Sequence, residues 1–201
     1  MARIADLAIL DDLTGVYNRR QFLELAGREV TKSLTQGELL HLAIVDVDHL
    51  ARVNDACGRA AGDGILRAVA RLCRENVAPS ATVGRLRGDE FGILMHGATS
   101  EEALEAAERV RTAATKDPEN VDCTDKAVTV SIGITRLTPE LLSAMTESGL
   151  SVSEDYGVGR DRPTYDKETT DALEALIAAA DRGLYAAKGL GRNRVELYQP
   201  E

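Results

Sequence analysis

The chain has 201 residues, enough for one domain with its own core, and 44% of them are hydrophobic. A formal net charge of −9 argues against non-specific DNA or anionic-membrane binding, both of which need a basic face, and an aromatic content of 3% with no Trp argues against a surface that stacks single-stranded bases. A nucleotide is still admissible, since it needs only a few local cations or a metal.

In chain order, "MARIADLAIL" is too short and too interrupted for a signal peptide or a membrane span. Its Ile4, Leu7, Ala8 and Leu10 fit a linker helix over residues 1–10, where an upstream sensory module or regulatory partner would attach in a longer protein. Residues 11–201 read as one domain. "DDLTGV" holds turn formers, and "RRQFLELAGREVTKSL" spaces Phe22, Leu25, Val30 and Leu34 as a helix. Leu39–Val47 is a nearly continuous apolar run, hence a central buried strand. A short helix through Cys57, a break at "GRAAGDG" and a helix over "ILRAVARLCREN" follow. "TVGRLR" and "EFGILMH" form a tight hairpin around Gly88 and Asp89. "SEEALEAAERVRTAA" is a helix capped by Ser100. Ala127–Thr135 is a strand that Val121–Cys123 would pair with, "DALEALIAAADRGLYAAKG" is a helix capped by Asp171 or a preceding Thr, and "RVELY" closes the chain as a strand. Residues 137–170 fit no sustained period and read as an insertion, with a short helix over Pro139–Met145 and a mobile part near Ser148–Lys167. The hairpin interrupts a purely parallel pattern, so the fold class is α/β with a mixed central sheet flanked by helices.

The three cysteines, Cys57, Cys73 and Cys123, show no C-x-x-C pair and are odd in number. That predicts ordinary thiols rather than a zinc site or a disulfide framework, and a cytoplasmic location. His41, His49 and His96 each stand alone and read as core or surface residues rather than ligands.

Asp46 and Asp48 end the buried strand, and residues two apart project from one face. A carboxylate there is costly unless it is solvated or bound to a cation. If the hairpin lies beside this strand, Asp89 and Glu90 bring three or four carboxylates together, the hard oxygens that Mg²⁺ takes alongside water and phosphate. Lys188 and Arg192, in "YAAKGLGRNRV", could hold phosphates; taken alone, they complement a helix C-terminus.

Five segments in order resemble the GGDEF domain of diguanylate cyclases. They are "DDLTGVYNRRQF", "VDVDHLARVNDACGRAAGDGIL", "RLRGDEF", "VTVSIGIT" and "ADRGLYAAKGLGRNRV". The resemblance implies a palm-like fold similar to class III nucleotidyl cyclases. It also implies a Mg²⁺-dependent reaction, with Mn²⁺ as a substitute ion, in which two GTP condense to cyclic di-GMP and two pyrophosphates across a homodimer. Carried over by position, Asp46, the carbonyl of Val47 and Asp89 would bind metal. Glu90 would bind the second metal or help deprotonate the 3′-hydroxyl. Asn54 and Asp63 would read the guanine edge, Gly88 would admit the nucleotide to the hairpin backbone, and Lys188 and Arg192 would hold the terminal phosphates.

The chain departs from the family pattern in places. Arg87 replaces the first glycine of the name motif, Ala51 a phosphate-proximal Lys, Leu50 a Phe and Arg59 a His. These changes weigh on turnover more than on GTP binding. Ala78 and Ala81 stand where the family's inhibitory R-x-x-D product site would be, which predicts no product inhibition there, since a methyl cannot make the bidentate contacts of Arg. The alternative reading is a catalytically weak or inactive domain that binds GTP as a regulatory module. A scaffold that only dimerises would leave the strand-end carboxylates unexplained, and a mixed guanine–adenine cyclase is disfavoured by Asp63.

Overall fold

The structure is a computed structural model that describes residues 9–117, 123, 126–148 and 165–200. Its elements run α1 (Arg19–Gln36), β1 (Leu40–Val47), α2 (Leu50–Cys57), α3 (Arg59–Glu75), β2 (Thr82–Arg87), β3 (Glu90–His96), α4 (Ser100–Lys116), β4 (Val130–Arg136), α5 (Pro139–Ser148), α6 (Lys167–Gly189) and β5 (Val195–Tyr198). The strands form one five-stranded sheet in the order β2-β3-β1-β4-β5. β1 pairs antiparallel with β3 and β4, β2 antiparallel with β3, and β4 parallel with β5. The expected mixed sheet is therefore present, with β1 at its centre.

All eight residues of β1 are buried because the sheet is covered on both sides. Ala43, Val45 and Val47 pack with α2, α3 and α4, whereas Leu40, Leu42 and Ile44 pack with α1, α5 and α6. This alternation aims Asp46 at the α6 side.

α6 lies unusually close to the sheet. A Cβ on Gly133 of β4 would stand 2.0 Å from the Leu184 nitrogen and 2.1 Å from the Ala180 carbonyl oxygen, and one on Gly183 would stand 2.8 Å from the Glu196 carbonyl oxygen. Two glycines therefore set the helix-to-sheet distance, and with it the depth at which the end of α6 meets β1.

Several expectations are adjusted. Thr99, not Ser100, caps α4, in a capping box with Glu102. α6 begins at Lys167 with Asp166 as its cap, earlier than Asp171, because Asp166 accepts from the Thr169 nitrogen. Of the linker helix expected over residues 1–10, only Ile9 and Leu10 are described, and Leu10 bridges antiparallel to Tyr17 instead of being helical. Most of the segment expected to be mobile, and residues 121–122 of the expected extra strand, lie outside the described residues.

The thiol expectation is overturned for two cysteines. Cys57 and Cys123 form a disulfide with Cα atoms 5.6 Å apart, across a sequence separation of 66. Spacing cannot reveal such a pair, since it depends on the end of α2 meeting the segment before β4. With that bridge formed, the cysteines no longer point to a reducing compartment. Cys73 remains a free, buried thiol, pushed up to about 12 by burial. Among the described residues, no helix is long and apolar enough to cross a membrane.

Candidate active site

Asp46 of β1 stands opposite Glu90 of β3 in the strand register. The two carboxylates project on the same face, at 6% and 7% exposure. Like charges opposed across strands repel, and burial magnifies the cost. Each is answered by a basic side chain. Lys188 Nζ lies 2.8 Å from Asp46 Oδ2, and Arg87 donates from Nε to Glu90 Oε2 at 2.7 Å and from Nη2 to Oε1 at 3.0 Å. Burial still pushes the Asp46 carboxyl up to about 6; Lys188 opposes the rise, and the nearby charges of Asp89 and Glu90 add to it.

Asp89 sits in the hairpin turn, where its carbonyl accepts from the Val47 nitrogen at 3.2 Å and ties the turn to the end of β1. Among the described residues, no three His, Cys, Asp or Glu side chains are gathered as a cation cage. The convergence of three or four carboxylates expected from the sequence reduces here to a facing pair with Asp89 at its edge. That donor set fits Mg²⁺, which takes one or two carboxylates and draws its remaining oxygens from water and substrate phosphates.

Asp48 does not join them. Its carboxylate accepts from Thr129 Oγ1 (2.6 Å), Ser131 Oγ (2.7 Å) and the Asn193 nitrogen (3.1 Å). Asn193 and Arg192 both have left-handed backbones, with φ of 48° and 64°. Asp48 thus pins the turn between α6 and β5, on which Arg192 is exposed.

The expected base-reading residues lie at the α2–α3 corner. Asn54 on α2 packs so tightly over α3 that a Cβ on Gly62 would stand 2.0 Å from its Oδ1, and Asp63 is the next residue. The Cys57–Cys123 disulfide ties the end of α2, three residues beyond Asn54. Gly88 is exposed, and a Cβ there would meet nothing within 4 Å, so the hairpin tip is open to a ligand. Ala51 is exposed on α2, and Arg59, also exposed, opens α3.

Sequence reasoning missed the brace behind the hairpin. Arg85 donates to the Gly88 carbonyl from Nε (3.1 Å) and Nη2 (2.6 Å), and from Nη1 to Asp11 Oδ1 (3.1 Å). Asp11 also accepts from the Thr14 nitrogen and hydroxyl at 3.0 and 2.6 Å. Burial raises the Asp11 carboxyl, but Thr14 and Arg85 outweigh it and hold it below the usual range. The signal was the Asp11–Thr14 turn in "DDLTGV", whose partner lies 74 residues away.

Residues 8–148 match the family described as "Diguanylate cyclase, GGDEF domain". The chain is 35% identical over 191 residues to diguanylate cyclase DosC of Escherichia coli K12, covering 94% of this chain and 35% of that protein. It is 32% identical over 199 residues to diguanylate cyclase VdcA of Vibrio cholerae, covering 97% of this chain and 48% of that protein. The chain thus spans less than half the length of these curated relatives. Among solved structures, the GGDEF domain of DgcB from Caulobacter crescentus in complex with c-di-GMP superposes with a TM-score of 0.72 at 26% identity, covering 94% of this chain and 95% of that one. Diguanylate cyclase SiaD in complex with its activator SiaC, from Pseudomonas aeruginosa, superposes with a TM-score of 0.70 at 28% identity, covering 96% of this chain and 63% of that one.

Proposed function

Because this chain belongs to the GGDEF diguanylate cyclase family, we propose that it condenses two GTP into cyclic di-GMP and two pyrophosphates, with each subunit of a homodimer holding one GTP. The observation that carries this reading is the buried Asp46–Glu90 pair, opposed in register and supplied with its own counter-ions. Burying such a pair costs stability that Lys188 and Arg87 offset in part and that a bound cation would offset further.

Asp46, Asp89, Glu90 and the Val47 carbonyl would hold Mg²⁺, or Mn²⁺ in its place. The ion supplies charge stabilisation at the phosphate oxygens and acidifies the attacking hydroxyl. Glu90 takes part in metal binding or accepts the 3′-hydroxyl proton. Asn54 and Asp63, both half-buried, pair with the guanine edge, so adenine leaves these polar groups unpaired and is rejected. Gly88 lets the triphosphate lie against the hairpin. Lys188 passes from Asp46 to a phosphate oxygen, and Arg192 approaches the terminal phosphates from the turn that Asp48 pins. Because each 3′-hydroxyl attacks the α-phosphorus of the other nucleotide, one subunit carries half of the reacting pair, and positioning the two halves is the main contribution to rate. A sensory module or protein activator would act by bringing two such halves together; the SiaD–SiaC complex is a relative that has such a partner.

The second reading, a domain that binds GTP as a regulatory ligand with little turnover, is favoured by one observation: both Glu90 oxygens are taken by Arg87. The two readings separate when purified protein is incubated with GTP and Mg²⁺ at several protein concentrations and the products are resolved by chromatography and mass. Cyclic di-GMP rising faster than linearly with protein is the expected result. GTP binding without product selects the regulatory module.

A further inference from the structure

The hairpin register shifts between Arg85 and Arg87, so that Arg85 pairs with Phe91 while Arg87 pairs with Glu90. An irregularity of this kind re-aims a side chain. Here it delivers the Arg87 fork onto both oxygens of Glu90, at 2.7 and 3.0 Å. Nη2 of Arg87 also lies 4.0 Å from Asp181 Oδ1 on α6. A glycine, the residue of the motif that this segment resembles, offers Glu90 no such partner.

We propose that Arg87 is a positioning residue that latches Glu90 and competes with the divalent cation for it. The inference rests on the metal role given to Glu90 above. A planar fork bonded to both oxygens fixes the carboxylate plane and neutralises its charge. A dication approaching the same oxygens meets a guanidinium in contact with them, so the latch must open before Glu90 can turn to metal. Asp181 gives the released guanidinium a second acceptor on the neighbouring helix, so opening is a short swing rather than expulsion into solvent. Lys188 makes a like contact with Asp46, but it stands in a block that resembles the family pattern, whereas Arg87 stands where that pattern has glycine. The consequence is a site that stays closed at low divalent concentration.

The test is a Mn²⁺ titration of the full chain followed by electron paramagnetic resonance of the free ion, alone and with 3′-deoxy-GTP, which binds but has no hydroxyl to react. R87G and R87Q are expected to bind Mn²⁺ roughly tenfold more tightly than the parent, the effect of removing a charge-assisted pair of ordinary strength. R87K, which keeps the charge but not the fork, is expected to fall between them. Thermal unfolding in chelator should show R87G no more stable than the parent and more strongly stabilised by Mn²⁺. Equal or weaker Mn²⁺ affinity in the variants, including binding by none of them, overturns the latch. R87Q and R87K carry the test if R87G does not fold. A parent that makes cyclic di-GMP while the variants show unchanged Mn²⁺ affinity loses the latch and keeps the cyclase; tighter Mn²⁺ binding by the variants with no product from any of them keeps the latch and loses the cyclase.

Discussion

Asp46 and Glu90 face each other across β1 and β3, and each is neutralised from a different element, by Lys188 at the end of α6 and by Arg87 at the end of β2. In the proposed metal site the charge of Asp46 would be essential and its shape secondary. Asp46→Asn is expected to lower cyclic di-GMP formation by about two to three orders of magnitude, the scale of losing one preorganised electrostatic group, and to weaken Mn²⁺ binding while leaving the far-UV circular dichroism intact. Turnover near the parent's would remove Asp46 from the metal site.

Gly62 offers a way to separate the proposed base reading by Asn54 from folding. An added Cβ would collide with the Asn54 side chain at 2.0 Å, and the three nearest atoms that it would meet all belong to that side chain. A side-chain tip can rotate away at little cost, so Gly62→Ala is expected to raise the KM for GTP severalfold with a melting temperature close to the parent's. An unchanged KM would place Asn54 outside the guanine contact. Asp63→Ser is the companion variant: it should narrow the discrimination between GTP and ATP, measured as the ratio of their binding constants.

Gly133 makes the opposite case. Its missing Cβ is occupied by backbone atoms of α6 at 2.0 and 2.1 Å, which cannot rotate away. Gly133→Ala is expected to cost about 1–3 kcal/mol in denaturant unfolding, the usual scale of overpacking. It should also lower activity, because α6 lifts and carries Lys188 from Asp46. A neutral effect on both would mean that the added methyl is absorbed without moving α6, and that Gly133 does not set its distance from the sheet.

His41 sets an acid limit. It is fully buried in β1, with Nε2 3.1 Å from Ser100 Oγ, and burial, helped by the charge of Arg136, pushes it down to about 4 from 6.5. The unfolded chain therefore binds the proton that the folded one refuses, and stability falls as pH drops from about 6.5 to 4, with no contribution from His41 above that window. The loss reaches about 3 kcal/mol if the whole shift is expressed. Replacing His41 by Leu should flatten the slope of unfolding free energy between these pH values; an unaltered slope would assign the acid sensitivity to other groups.

The Cys57–Cys123 bridge closes a loop across 66 positions. In the chain-entropy account such a link stabilises by about 4 kcal/mol. Reduction with dithiothreitol should lower the melting temperature, and a Cys57→Ser, Cys123→Ser double variant should match the reduced parent and lose the response to reductant. A parent whose melting temperature ignores the reductant would show that the bridge contributes nothing to folding.

Periodicity and turn chemistry determined much of this protein from the sequence alone. The continuous apolar run of β1 demanded a strand covered on both faces, the hairpin around Gly88 announced itself by its flanking strands, and five motifs in order carried the family. These signals are local, because they follow from the side-chain spacing of one element or from a turn's backbone needs. What only tertiary structure decided are relationships between segments far apart in the chain. Asp48 looked equivalent to Asp46 in "DVD", yet Thr129, Ser131 and Asn193 claim it as an anchor. Arg87 read as a lost glycine, and only the register shift in β2 turns it onto Glu90. Cys57 and Cys123 read as separate thiols until the end of α2 met the segment before β4. In each case a side chain's partner is chosen by the packing of the whole sheet and its helices, and no spacing along the chain encodes that choice.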